Sequence, residues 1–242
     1  MERNYYISDD YNEGWNWGKD RAIIETKKPN TINKLTSVVL DALREDKAIT
    51  QLEELHDVIN KSEINKGRIR AYNQINKIDN LKRLILELIS PEIFFMLGTD
   101  LAIQRKLNIS IQMPEDETSI LSAHQDYRSG ESPFQRVIWI PLTDAFDSNA
   151  MYINNESGVY EPINIKRGEI LIFDPNTMHG NVLNKTQKTR VSLNIRIKNW
   201  FSPDLGDFIP DRQFGEQYED LCFSHATINA FKMLSELKEN KR

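Results

Sequence analysis

Between residues 30 and 97 apolar side chains recur three and four positions apart, as in Leu35, Val38, Val39 and Leu43 and again in Leu81, Leu84, Ile85 and Leu88. That period collects them on one stripe of a helix, so the stretch predicts amphipathic helices with one face to bury. Asn30 and Asp79 stand where N-caps are expected, and Pro91 suits the first turn of a short helix after a Ser90 cap, with Gly98 ending it. From 103 to 198 the period falls to two. Asn108, Ser110 and Gln112 alternate with Leu107, Ile109, Ile111 and Met113, and Arg190, Ser192, Asn194 and Arg196 alternate with Val191, Leu193, Ile195 and Ile197. Both runs predict strands with one polar and one apolar face, whereas 137–142 and 169–173 are apolar enough for central strands. Beyond Trp200 the chain is irregular until an amphipathic helix over 224–237 and a charged tail. The expected organisation is one domain over 1–242: helical support at 30–97, a β core at 103–198 and a C-terminal extension at 200–242.

A polar strand face either meets solvent or lines an interior site, and the histidines bear on which. In Ser122-Ala123-His124-Gln125-Asp126, residues two apart on an extended chain point to the same side, about 6.7 Å apart, so both side chains can converge on one ion. His179 follows the apolar strand at 169–173 and can supply a third ligand from across a barrel. Two imidazoles and one carboxylate leave three adjacent positions open on an octahedral metal, which suits oxygen-activating non-haem Fe(II). His56 and His225 fall in helical patterns and read as surface or satisfied histidines. Eleven residues after His179 comes Arg190, with Ser192 on the same face. A guanidinium fork beside a hydroxyl is a receptor for a carboxylate, and a buried arginine requires an anion to offset it.

Composition narrows the field further. Thirty-one Lys and Arg against 36 Asp and Glu leave a net charge of −5, which disfavours a phosphate-backbone binder, so nucleic acid is not an expected partner. The most apolar run, 81–96, carries Lys82, Arg83, Glu87 and Glu92 and falls short of the roughly 20 apolar residues of a membrane span. The single cysteine, Cys222, cannot close an internal disulfide, and with no signal-like start the expected compartment is the cytoplasm. There is no Gly-x-Ser-x-Gly elbow and no Gly-rich phosphate loop.

Taken together, His124-Gln125-Asp126, the run from Arg136 through Trp139 and Pro141 to Asp144, the run from Gly168 to Asp174 with His179, and Arg190-Val191-Ser192 resemble the Fe(II)/2-oxoglutarate-dependent dioxygenases, and most of all their phytanoyl-CoA dioxygenase-like branch. The resemblance covers about residues 103–198 in the family's order. It implies a double-stranded β-helix, a jelly-roll or cupin-like barrel, with His124, Asp126 and His179 as ligands of Fe(II). It also implies that Arg190 and Ser192 hold the distal carboxylate of 2-oxoglutarate, that Gln112 contacts that co-substrate, and that O2 is consumed with release of succinate and CO2. The small-residue segment leading to Gly-Ser-His that is usual in the phytanoyl branch is missing, which argues against acyl-CoA substrates. Ser129 to Phe134, Trp139 to Asp144 and Asn149 to Tyr152 resemble instead oxygenases of bacterial carbohydrate-biosynthesis clusters, implying a polar, sugar-like small molecule. Arg128, two residues past Asp126, stands where a charged side chain meets either solvent or that substrate.

Two rivals share these residues. A cupin-like metal-dependent sugar isomerase or epimerase working without O2 would have no use for Arg190. A catalytically silent binding protein would need none of His124, Asp126, His179 and Arg190 together. Tyr11, Trp15 and Trp17 read as core packing or as cover for the site. The sequence leaves the oligomeric state open.

Overall fold

Both periodicities are realised in the computed structural model, which describes residues 21–44, 49–129, 131–155, 157–203 and 217–239. In chain order the elements are β1 (Arg21–Glu25), α1 (Pro29–Arg44), α2 (Leu55–Val58), α3 (Ile64–Ile75), α4 (Leu81–Ile89), α5 (Glu92–Leu97), β2 (Leu101–Gln104), β3 (Asn108–Gln112), β4 (Gln135–Pro141), β5 (Met151–Asn154), β6 (Tyr160–Ile163), β7 (Glu169–Phe173), β8 (His179–Gly180), β9 (Arg190–Asn199), β10 (Tyr218–Cys222) and α6 (His225–Glu239). Seven strands make one antiparallel sheet in the order β1-β7-β4-β9-β2-β10, with β3 also on β9, and β6-β5-β8 make a second. The long β9 organises the larger sheet. One edge pairs with β4, Trp139 lying opposite Asn194, while the other carries β3, with Gln112 opposite Arg190, and then β2.

The two faces of that sheet explain the two kinds of strand. Val191, Leu193, Ile195 and Ile197 of β9 join Ile138, Ile140, Ile170 and Ile172 in one core with Leu35, Val39, Ala71, Ile85 and Leu88 of the helices. On the opposite face Val137, Trp139, Leu171 and Phe173 pack with Met151, Ile153 and Ile163 of the small sheet. β4 and β7 are therefore buried on both sides, which is why they read as apolar throughout. Arg190, Ser192, Asn194 and Arg196 share the inner face with Trp139 and Val137, so the polar row looks between the sheets and not into solvent. Among the described residues the two sheets remain separate ladders and do not close into the expected barrel.

Several local expectations change. α1 begins at Pro29, so Asn30 lies inside its first turn instead of capping it. Asn80, with φ of 58°, caps α4 in place of Asp79, and Pro91 stands just before α5, where Ser90 was expected to cap. Two edge strands escape sequence reading. β1 is only five residues long, and β10 carries Glu219 and Asp220, so each gets its conformation from its neighbour, β7 and β2 respectively. α6 forms where the pattern places it, its start tied down by ring contacts of Trp200 with Phe223 and Phe231. Tyr11, Trp15 and Trp17 lie outside the described residues. No helix among the described residues is long and apolar enough to cross a membrane.

Candidate metal centre

The β7–β8 connection is what brings His179 to the site. Asp174 accepts from the amide of Asn176 and is ion-paired with Arg136 of β4 at 2.8 Å, which anchors the turn to the main sheet. The chain then enters β8, where His179 pairs with Ile153 of β5, on the face that points between the sheets. His124 and His179 exchange two backbone hydrogen bonds of 2.9 Å as an isolated bridge. Directly afterwards Asp126 opens a 3-10 turn, Asp126–Ser129. The expected extended His-x-Asp strand is therefore a single bridged residue followed by a turn, and it is the turn that swings the carboxylate back onto the imidazoles. Close approach at this point requires Gly180. A Cβ there would lie 2.6 Å from the carbonyl oxygen of Leu121 and 2.8 Å from the Tyr160 hydroxyl. Gly180→Ala is expected to lower stability by about 1–3 kcal/mol and to weaken divalent-metal binding by displacing β8, both measurable by denaturation with and without Ni(II).

The three side chains present one atom each to a common point. His124 Nε2 lies 3.4 Å and His179 Nε2 3.6 Å from Asp126 Oδ1. The ligand atoms all fall within 4.8 Å of one another. Each Nδ1 sits 2.9 Å from a backbone carbonyl, Ser122 for His124 and Thr177 for His179, and a carbonyl can only accept. Both rings therefore carry a proton on Nδ1 and turn Nε2 toward the carboxylate, as a donor when the ring is protonated and as a ligand atom when it is neutral. With both imidazoles neutral, two Nε2 lone pairs and a carboxylate oxygen converge on one point, a donor set that fits a divalent metal. The titration tendencies follow the same geometry. Hydrogen bonding to Asp126 raises the pKa of His124, whereas burial lowers that of the more enclosed His179. Burial alone would raise Asp126, but the His124 hydrogen bond and the charges of Arg196 and His179 bring it down to about 2.

Arg196 is the functional neighbour that sequence reading did not place. Its Nε and Nη2 reach Asp126 Oδ2 at 3.0 and 2.9 Å, Nη1 meets Gln104 Oε1 at 3.4 Å, and Glu131 lies 3.8 Å away. The signal was its same-face position six residues after Arg190, but only the turn at Asp126 supplies its partner. Glu131 follows that turn, its amide donating to the Asp126 carbonyl, and burial raises its pKa.

Farther along β9, Arg190 is 3% exposed and donates to Ser192 Oγ at 2.9 Å and Gln112 Oε1 at 2.8 Å, both neutral. Its guanidinium carbon stands 5.7 Å from the Trp139 ring centroid, and its Nε has no partner among the described residues. Burial, with no carboxylate partner among the described residues, brings its pKa down to about 10. Gln112 is wholly buried and braces Arg190, its amide nitrogen donating to the Val182 carbonyl. Arg128 is exposed and folded onto its neighbour, Nε reaching the Tyr127 hydroxyl at 3.0 Å. His56 is satisfied by Thr189 Oγ1 at 3.0 Å, and His225 begins α6, so neither joins the centre.

Comparison with known proteins bears on the fold. No protein-family model matches the chain. It is 30% identical over 129 residues to the streptomycin biosynthesis protein StrG of Streptomyces griseus, a match spanning 52% of this chain and 59% of that protein. Among solved structures it resembles CytC3 with Fe(II) and alpha-ketoglutarate, with a TM-score of 0.52, 15% identity and 89% and 88% of the two chains covered. It also resembles the nickel complex of the non-heme monooxygenase ThoJ, with a TM-score of 0.51, 16% identity and 93% and 95% covered. The fold is thus the double-stranded β-helix arrangement of the non-heme iron and 2-oxoglutarate oxygenases.

Proposed function

We propose that this protein is an Fe(II)- and 2-oxoglutarate-dependent oxygenase that oxidises a polar, sugar-like small molecule, with release of succinate and CO2. The observation that carries the reading is Arg190, a buried cation with no carboxylate partner among the described residues, on the same strand face as the arginine that grips Asp126. An unoffset buried charge is costly, and a dicarboxylate reaching from Arg190 and Ser192 toward the His-Asp-His cluster removes that cost. A metal isomerase of the same fold would have no such need.

In this reading His124, Asp126 and His179 hold the iron, which when bound supplies keto-acid chelation and O2 activation. Arg190 and Ser192 take the distal carboxylate of 2-oxoglutarate, and Gln112 keeps the fork turned toward it. Charge balances as well. A divalent ion with Asp126 is +1 and Arg190 adds +1, matching the dianionic co-substrate, while Arg196 faces Glu131. The sugar-like class is supported by the likeness to a protein of streptomycin biosynthesis, and Arg128, exposed on the turn beside Asp126, is assigned to substrate contact.

Succinate release with Fe(II) and 2-oxoglutarate, measured across sugars, nucleotide sugars, amino acids and acyl chains, tests the proposal. Stimulation by a sugar or nucleotide sugar is expected, and stimulation only by amino acids or acyl chains would overturn the substrate class. Arg128→Ala should raise the KM for the stimulating sugar by about three- to tenfold with little change in the KM for 2-oxoglutarate, as for loss of one exposed polar contact.

A further inference from the structure

We infer that Arg196 is a positioning residue that restricts Asp126 to a single metal-binding oxygen and thereby keeps a coordination position open beside the chelated keto acid. The inference rests on the oxygenase reading above. Two nitrogens of one guanidinium are committed to Oδ2, at 3.0 and 2.9 Å, while Oδ1 alone faces the imidazoles, at 3.4 and 3.6 Å. The Nε hydrogen bond is charge-assisted and the Nη2 contact is a close ion pair, so Oδ2 cannot turn to a metal without breaking the bond and separating the charges. Nor can the arginine readily move away. Its side chain is 12% exposed and is flanked by Glu131 and Gln104.

The consequence is one of counting. A carboxylate can bind a metal through one oxygen or two. With two imidazoles and a one-oxygen carboxylate, an octahedral ion keeps three positions, two for a keto acid and one for a further ligand. If Oδ2 also bound, the keto acid would fill the last two. Removing Arg196 also takes a cation away from a divalent ion, so metal affinity need not fall with it. The role of Arg196 therefore shows in the third ligand and not in metal retention.

The test uses nitric oxide as a probe of the remaining position. The ferrous protein is saturated with 2-oxoglutarate under anaerobic conditions, chelation is followed by its charge-transfer absorption, and nitric oxide is titrated by electron paramagnetic resonance. Arg196→Met should keep iron and the chelate absorption but need at least about tenfold more nitric oxide for half-saturation, the scale on which residues supporting a metal ligand act. Arg196→Lys, which keeps the charge but can donate only through one nitrogen, should fall between the two. Nitric oxide uptake by Arg196→Met at wild-type concentrations overturns the inference. If Arg196→Met holds no iron, Arg196→Lys decides at full metal occupancy: impaired uptake supports the inference and wild-type uptake overturns it. Absence of chelate absorption in the wild-type protein would instead sink the oxygenase reading itself, so the two failures are distinct.

Discussion

Arg190→Met is expected to weaken 2-oxoglutarate binding by more than about a hundredfold while leaving the metal-free, co-substrate-free protein at least as stable as wild type. The two halves have one cause. In the free protein the guanidinium is buried, donates to the neutral oxygens of Ser192 and Gln112 and lies over Trp139, and burial lowers its pKa with no carboxylate partner among the described residues. Replacing a buried, uncompensated charge by an apolar side chain of similar length removes a desolvation cost of several kcal/mol, offset by the bonds that Gln112 and Ser192 lose, each about 1 kcal/mol. Stability should thus be unchanged or raised by about 1–2 kcal/mol, as when a side chain is kept for binding at the expense of the fold. Losing a bidentate charge-assisted contact to a carboxylate, by contrast, costs about 3 kcal/mol or more of affinity. Urea denaturation and 2-oxoglutarate titration together check both halves. A large loss of stability would mean that Arg190 is structural, and the main support for the co-substrate assignment would fall.

How far the sequence reveals this architecture depends on which interactions fix each element. Helices and strands that bury a periodic face against the main core are legible, because alternation in β9 and β3 and the helical stripes of α1 and α4 are all written by that core. β1 and β10 are not, since their conformation is imposed by pairing along the edges of β7 and β2. Capping errs for a related reason: Asn80 takes a left-handed conformation that no local pattern announces, while Asp79 offers the more usual capping residue.

The site divides in the same way. His124, Asp126 and His179 were readable as a set because metal chemistry limits which residues can act together, and they do converge. The route of convergence was not readable. Alternation suggested a strand carrying His124 and Asp126, but the chain turns at Asp126, and that turn hands Oδ2 to Arg196. Arg196 belongs to the same polar row as Arg190 and Asn194, so spacing alone marks it as one of that row and assigns it no partner. Its carboxylate partner is 70 residues away in sequence, a contact no periodicity encodes.

Asp126→Ala should abolish divalent-metal binding and, separately, destabilise the metal-free protein by about 2–4 kcal/mol, because it leaves Arg196 without its main partner in a nearly closed site. Glu131 at 3.8 Å and Gln104 at 3.4 Å retain part of the interaction, which places the loss toward the lower end of what breaking a buried pair costs. His124→Ala makes the contrast. Its imidazole is 26% exposed and its fixed bond is to the Ser122 carbonyl, so metal binding is lost for only about 1 kcal/mol of stability. Asp126→Ala combined with Arg196→Met removes both charges, and should recover more than half of the stability lost by Asp126→Ala while binding no metal. Chemical denaturation of the three metal-free variants, with Ni(II) binding followed in parallel, separates the terms. If the double variant were no more stable than Asp126→Ala, the energy of Asp126 would reside in its contacts with the histidines, and Arg196 would be a bystander to the fold.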